Sequence, residues 1–513
     1  MKRMPDKEPE WWVILIPFGV LIATLVCVIR FFGADALDGA SQVALLLGAG
    51  VATALAMTVY GVKWSVIENS IAENIKSIGV SVLILILIGA ISGSWMISGV
   101  VPTLMYYGLK VLTPKIFLFA VCIICALVSL VTGSSWTTIA TIGVAFVGIG
   151  MALGYPAGWT AGAIISGAYF GDKISPLSDT TVLASSVTGT PLFEHIRYMM
   201  ITTVPSMTIT CLLFLIASVF HHESADLSVA QFSEALSGSF TISPLLLLVP
   251  VLTGFLIAKK LPALLTLFLA ALMAGAAALI AQPDIIASIG GGDGGFRTGF
   301  RGLMITYYGD TFVQTGTPQL DELVRTRGIT GMLATILLIF CAATFGGTLT
   351  GSGMMNSLTR RLTQRITGRT PLVGATVASG IFANMVTGDQ YLSIILTSSL
   401  YKKLYEDKGY EGRLLSRSTE DSATVTSVLI PWDSCGMTQA TVLKVPTLDY
   451  LPYCFFNLIS PLMSILVAAT GYKIYRRASS TSPERIAGED RSDPLQLAHP
   501  EDRRGQGSAH QHP

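Results

Sequence analysis

The chain has 513 residues, of which 51% are hydrophobic and 13% charged, with 33 basic against 32 acidic side chains, and its mean hydropathy is +0.62. A soluble domain carries about 25% charged residues, so this composition excludes a soluble catalytic domain of useful size. It predicts an all-α polytopic membrane protein: apolar runs recur from Trp12 to the region of Tyr472, long enough to cross a hydrocarbon core about 30 Å thick.

Residues 1–11, with Lys2, Arg3 and Lys7, read as a cytoplasmic N-terminus, because basic residues in short loops stay preferentially on that side. The run "WWVILIPFGVLIATLVCVIRFF" exceeds a signal-peptide core and no small-residue cleavage signature follows it, so it reads as a retained span. Spans near 12–32, 42–60 and 79–97 leave the acidic "GADALDGA" outside and Lys63 and Lys76 inside. The seven cysteines lie mostly in apolar runs, which argues against a disulfide framework. Cys122 and Cys125 have CxxC spacing, but without a histidine or a second pair they read as helix-packing residues and not as a metal site.

A segment at 116–150, with "VTGSSW" from Val131 inside it, is followed by an apolar run that ends in "GDKISPLSDTT", Gly171 to Thr181. Residues 220–242 read as an extracytoplasmic linker and Pro283 to Ile329 as a glycine- and arginine-rich extracytoplasmic loop. The basic stretches "AKK", "RRLTQR", "YKKLYEDKGYEGRLLSR" and "KIYRR" are all cytoplasmic only if residues 372–401 enter and leave the membrane on the same side. At 1.5 Å per residue that segment makes two half-spans, a re-entrant hairpin with "VTGD" at its tip. Residues 473–513 read as a disordered cytoplasmic tail, polar and without helical periodicity.

Val131 and Val386 open the two VTG copies, 255 residues apart. The same shift sets Pro176 on Pro431, Asp179 on Ser434 beside Asp433, Pro191 on Pro446 and Glu194 on Asp449. Two repeats follow, 12–219 and 243–472, each with three spans, a hairpin, an interrupted span and a final span, with breaks at 171–181 and 431–436. Five crossings per half is odd, so the halves have inverted topology, about 10 full spans plus 2 hairpins in all.

Irregular backbone at membrane depth is tolerated where it is buried in protein or lines a wet cavity, and Pro176 and Pro431 enforce it. Carbonyls, hydroxyls and carboxylates freed there are hard oxygen ligands suited to a small cation. An ionised aspartate at mid-bilayer costs about 2.5–3.5 kcal/mol on insertion scales, which calls for a use. The candidate ion-binding residues are Asp172, Ser178, Asp179, Thr180, Thr132, Thr387, Asp389, Asp421, Asp433 and Ser434, with sodium placed at Asp179, Asp389 and Asp433. Lys173 reads either as a neutralising partner of Asp172 or as a substrate contact, and Glu420 and Asp421 either as functional acids or as charges favouring a helix N-terminus. Glu194 and Asp449 read as caps near interfacial ends. His195 is the one histidine near these elements, either an interfacial residue or a pH sensor.

The stretches "SGAYFGDKISPLSDTT", "GDQYLSIIL" and "LSRSTEDSATVTSVLIPWDSCG", with their spacing, resemble the NhaC family of sodium/proton antiporters over about residues 10–475. The resemblance implies inverted repeats, hairpins, elevator-type movement and exchange of sodium for protons. Two departures stand out: Val182 where the family often has asparagine, and "PWDSCG" with Asp433 where it often has "PWN". Some relatives exchange carboxylates such as malate and lactate, which leaves a sodium/proton-coupled carboxylate exchanger as the alternative. The expected partners are sodium ions, protons, the lipid bilayer of a bacterial inner membrane and a second copy of the chain, with small carboxylates under the alternative. No cofactor and no nucleic acid is expected. Neither HExxH nor GxSxG occurs, so no intramembrane enzyme is expected, and repeated charge rings typical of a channel are missing.

Overall fold

Apolar runs punctuated by glycine and proline become helices whose ends fall at those residues. The computed structural model describes residues 9–32, 39–220, 229–259, 261–292, 295–357 and 366–476. Eight helices among these are long and apolar enough to cross a membrane, or eleven if each of three bent pairs is one span. No β-strand occurs among the described residues, only isolated bridges such as Thr311 with Thr326. The N-terminal basic cluster, the "RRLTQR" loop and the tail beyond Arg476 lie outside the described residues.

The first half opens with α1 (Leu15–Phe32), α2 (Ala40–Thr58), α3 (Trp64–Ser77), α4 (Gly79–Ile97) and α5 (Val100–Val111). The α4–α5 pair bends by 65°. Between Lys63 and Lys76, where a simple loop was expected, α3 forms because "WSVIENSIAENIKS" places Val66, Ile67, Ile71 and Ile75 at helical spacing. Then come α6 (Phe117–Thr132) and α7 (Ser135–Ala152), joined by a two-residue turn. They are followed by α8 (Ala157–Ile174), α9 (Asp179–Thr188) and α10 (Leu192–Val219).

The second half contains α11 (Val229–Ser239), α12 (Leu248–Ala258) and α13 (Ala263–Ala281). Part of the 220–242 linker is therefore the helix α11. The 283–329 insertion, expected as a loop, folds into α14 (Pro283–Gly290), α15 (Phe296–Tyr308) and α16 (Pro318–Val324), with Pro283 and Pro318 at helix starts where a missing N–H costs nothing. After α17 (Leu333–Gly351) come the hairpin limbs α18 (Arg369–Thr387) and α19 (Gln390–Asp407) and then α20 (Gly412–Thr419), which runs on into a π-helical turn at Glu420–Thr424. The final elements are α21 (Ser434–Leu443), α22 (Thr447–Tyr450) and α23 (Phe455–Thr470).

The packing crosses between halves. α2 and α3 lie on α17, while α4 lies on α13. The second hairpin limb α19 packs on the half-helix α9, and the π-helical turn within α7 packs on the half-helix α21. Residues through Arg476 thus form one unit. Within the first half, α6 and α8 approach closely: a Cβ on Gly167 would stand 2.1 Å from the Cys122 carbonyl oxygen, and one on Gly171 2.2 Å from that of Ala126. Small residues at this spacing let helices approach in a bilayer, and all seven cysteines are free thiols.

Candidate ion-binding site

Both hairpins turn in the same way. Thr132 is followed by Gly133 at φ 67° and Thr387 by Gly388 at φ 63°, left-handed positions that glycine fills without strain. The next residue caps the second limb in each case. Ser134 Oγ accepts from the Thr137 amide at 3.2 Å, and Asp389 Oδ1 from the Leu392 amide at 2.9 Å. Both breaks also end in caps: Ser178 Oγ accepts from Thr181 N at 3.4 Å, and Asp433 Oδ1 from Cys435 N at 2.9 Å. Each pair of caps, 134 with 389 and 178 with 433, repeats the 255-residue offset.

These turns gather the candidate residues into two clusters. In the first, Asp172 Oδ2 accepts from Ser135 N at 3.1 Å and Ser135 Oγ at 2.7 Å, a carboxylate set against the positive end of α7. Thr132, Ser134, Ser178, Asp179 and Thr180 join Asp172 around a cavity of about 230 Å³. Asp179 is exposed within it. In the second cluster, Thr387 Oγ1 donates to the Asp389 carbonyl at 3.0 Å, Ser434 N to the Gly388 carbonyl at 2.8 Å, and Ser434 Oγ to Asp389 Oδ2 at 3.5 Å. Asp389 and Asp433 are within electrostatic reach of each other and buried, and Asp433 Oδ2 has no hydrogen-bond partner.

Asp179, Asp389 and Asp433 are therefore not one cluster. Among the described residues no three His, Cys, Asp or Glu side chains come together as a metal-binding group. Gln390 and Tyr391, which begin α19, line the first cavity while following directly on Asp389. Tyr391 lies within electrostatic reach of Asp172, Asp179 and Asp389, and so stands between the two clusters. Sequence reasoning missed both residues; their position just past the hairpin tip was the available signal.

Lys173 is not the partner of Asp172. Its ammonium forms a buried ion pair with Asp421 and donates to Ser460 Oγ at 3.1 Å. The same Asp421 oxygen accepts from Thr202 at 3.2 Å and from Ser460 at 3.0 Å. Asp421 Oδ1 is thus taken up, while its Oδ2 makes no hydrogen bond. Nor do Glu420 and Asp421 begin a helix: they sit in the π-helical turn that continues α20. His195, expected at an interface, is fully buried, with Nδ1 2.8 Å from Ser416 Oγ. Glu194 and Asp449 do lie in the first turns of α10 and α22. Val182, one of the two departures noted in the sequence, does not line the cavity.

The profile described as "Na+/H+ antiporter family" matches residues 167–472, a span that takes in the C-terminal part of α8, both breaks and the second hairpin. The chain is 38% identical to "Na(+)/H(+) antiporter NhaC" of Alkalihalophilus pseudofirmus, over 82% of this chain and 88% of that protein. It is 33% identical to "Arginine/ornithine antiporter ArcD" of Halobacterium salinarum, over 94% of this chain and 96% of that one. To the "Malate-2H(+)/Na(+)-lactate antiporter" of Bacillus subtilis it is 33% identical, over 93% of this chain and 98% of that one. With the profile covering more than half of the chain and these identities holding over most of its length, the protein belongs to the Na+/H+ antiporter family.

Proposed function

We propose that this protein is a secondary active transporter that exchanges sodium for protons by alternating access. The observation that carries the reading is the pair of hairpin tips, each beside a helix break and each supplied with carboxylates and hydroxyls. Sodium enters the first cavity, where Asp179 is accessible and Thr132, Ser178 and Thr180 offer oxygens that replace water. It passes beyond Tyr391 to Asp389 and Asp433, with Thr387 and Ser434 completing the oxygen set. An ionised carboxylate holds the cation and protonation releases it, so sodium and proton exclude one another and the protein reorients with one or the other bound. The halves have inverted topology, the hairpins are re-entrant, and the movement is of elevator type. The offset of 255 residues between equivalent caps and the crossed packing of the halves support this. The protein sits in a bacterial inner membrane with both termini in the cytoplasm, as a homodimer.

A second reading, exchange of small carboxylates, draws on the similarity to the malate/lactate antiporter. Against it stands Lys173, the ammonium that would receive an organic anion, which is already committed to Asp421. Purified protein in proteoliposomes with a trapped pH dye separates the two readings. A sodium pulse, compared with lithium and potassium, is expected to move protons without malate or lactate. A signal seen only with the anion present would favour the second reading.

A further inference from the structure

Beyond the two clusters lies a third group of ionisable side chains that the ion pathway does not use. Lys173, Arg417, Glu420 and Asp421 are all at 0% exposure, but they are unequally satisfied. Asp421 Oδ1 receives Lys173, Thr202 and Ser460. Arg417 stands 4.0 Å from Asp421 Oδ2 and 4.7 Å from the centre of the Tyr198 ring. Glu420 is the least satisfied of the acids: neither carboxyl oxygen meets hydrogen-bond geometry with a partner, and the one polar side chain set beside it to interact is the Thr424 hydroxyl.

A buried carboxyl without donors is neutralised by a proton or by a mobile cation, because an unpaired charge at such a place costs several kcal/mol. The charges acting on Glu420 come from Lys173 and Asp172 of α8 and from Asp421 of its own turn. From the other elements packed on that turn, α18 brings the neutral Asn384, α19 the hydroxyls of Ser398, Tyr401 and Tyr405, α23 Ser460, and α9 carries Asp179 at its cavity end. Arg417 and His195 stand one turn back along α20 and on the neighbouring α10. The ammonium acting on Glu420, that of Lys173, is held by Asp421.

We propose that Glu420 is a proton-carrying site separate from the oxygens that hold sodium, and that the Lys173–Asp421 pair senses its charge. The proposal rests on the exchange reading above and divides the labour within it. In the arrangement described here Glu420 holds the proton and Lys173 stays on Asp421. When the carboxyl O–H bond breaks, the proton passes to water, the electron pair remains on the carboxylate, and Glu420 competes with Asp421 for the lysine. Lys173 is the residue after Asp172, whose other contacts fasten the tip of the first hairpin. A change of partner by Lys173 is thereby transmitted to the wall of the sodium cavity.

Two readouts on the full-length protein in proteoliposomes test this: sodium-driven internal pH change, and counterflow of radioactive sodium against unlabelled sodium, each across a range of pH. Glu420→Gln is expected to lower proton movement about tenfold or more while sodium counterflow persists and loses its dependence on pH. Glu420→Asp is expected to restore proton movement with a displaced pH midpoint. Proton movement at the wild-type level in Glu420→Gln would overturn the proposal, as would loss of both activities in a protein that remains monodisperse. If the glutamine variant does not insert, an unmoved pH midpoint in Glu420→Asp rejects it. A wild-type protein that performs neither activity would instead sink the exchange reading, and this inference with it.

Discussion

The two hairpin–break pairs share a backbone design and differ in chemistry. In the first half the caps are serines, Ser134 and Ser178, and the carboxylates Asp172 and Asp179 sit beside them around an open cavity. In the second half the caps are themselves aspartates, Asp389 and Asp433, and they are buried. A serine cap spends its one oxygen on the helix. An aspartate cap spends one oxygen and keeps a second, as Asp433 Oδ2 does without a partner. One backbone element thus presents its charge to an open cavity when the carboxylate sits beside the cap, and buries it with an oxygen to spare when the carboxylate is the cap.

The sharpest way to break this comparison is to make the second half like the first. Asp389→Ser with Asp433→Ser keeps both caps and removes both charges. Sodium-driven proton movement in proteoliposomes is expected to fall about a hundredfold or more, since losing hydrogen bonds to charged groups costs about 1.5–3 kcal/mol each. Survival of exchange in that variant would move the sodium position entirely to the first cavity.

A smaller effect concerns the helix pair that carries Thr132 and Asp172. Gly171→Leu puts side-chain atoms where the Ala126 carbonyl stands. Overpacking of this kind costs about 1–3 kcal/mol, so the thermal unfolding midpoint in detergent is expected to fall clearly below that of the wild type. An unchanged midpoint would show that α6 and α8 are free to separate.

Removing a serine cap is milder still. Ser178→Ala is expected to cost about 0.5–2 kcal/mol of local helix stability, read as a severalfold rise in the sodium concentration needed for half-maximal exchange. Proton coupling is expected to persist, because no charge is lost. The smallest effect is expected at Val182, the position where relatives often carry an amide. Val182→Asn lies off the cavity lining, and surface changes of this kind stay within about 0.5 kcal/mol, so sodium affinity is expected to shift less than about twofold. A larger shift would place α9 closer to the ion than its wall residues suggest.

Much of this was legible along the chain. The offset of 255 residues, the glycine at each tip and the proline at each break are local signals, because turns and breaks are written in residues that lack a Cβ or an N–H. The insertion was not: its glycines and arginines suggested a loop, but α14 and α15 form where contacts with α13, and for α15 also α4, repay their ordering, and α16 is held by Lys444, which donates to the Glu322 and Leu323 carbonyls. The helix α3 was hidden for a related reason, since its apolar stripe is too short to be a span and is covered by α17.

The sequence by itself determined the membrane class, the helical architecture, the 255-residue offset and the positions of the polar interruptions, because hydropathy and special backbone residues act over a few turns. Only the tertiary structure decided how the charges are shared out. Lys173 pairs with a residue 248 positions away and not with its neighbour, and the aspartates divide into two clusters bridged by Tyr391. Electrostatic partners are chosen by distance in space and by the scarcity of water around them. Neither quantity exists until the two halves have packed through one another.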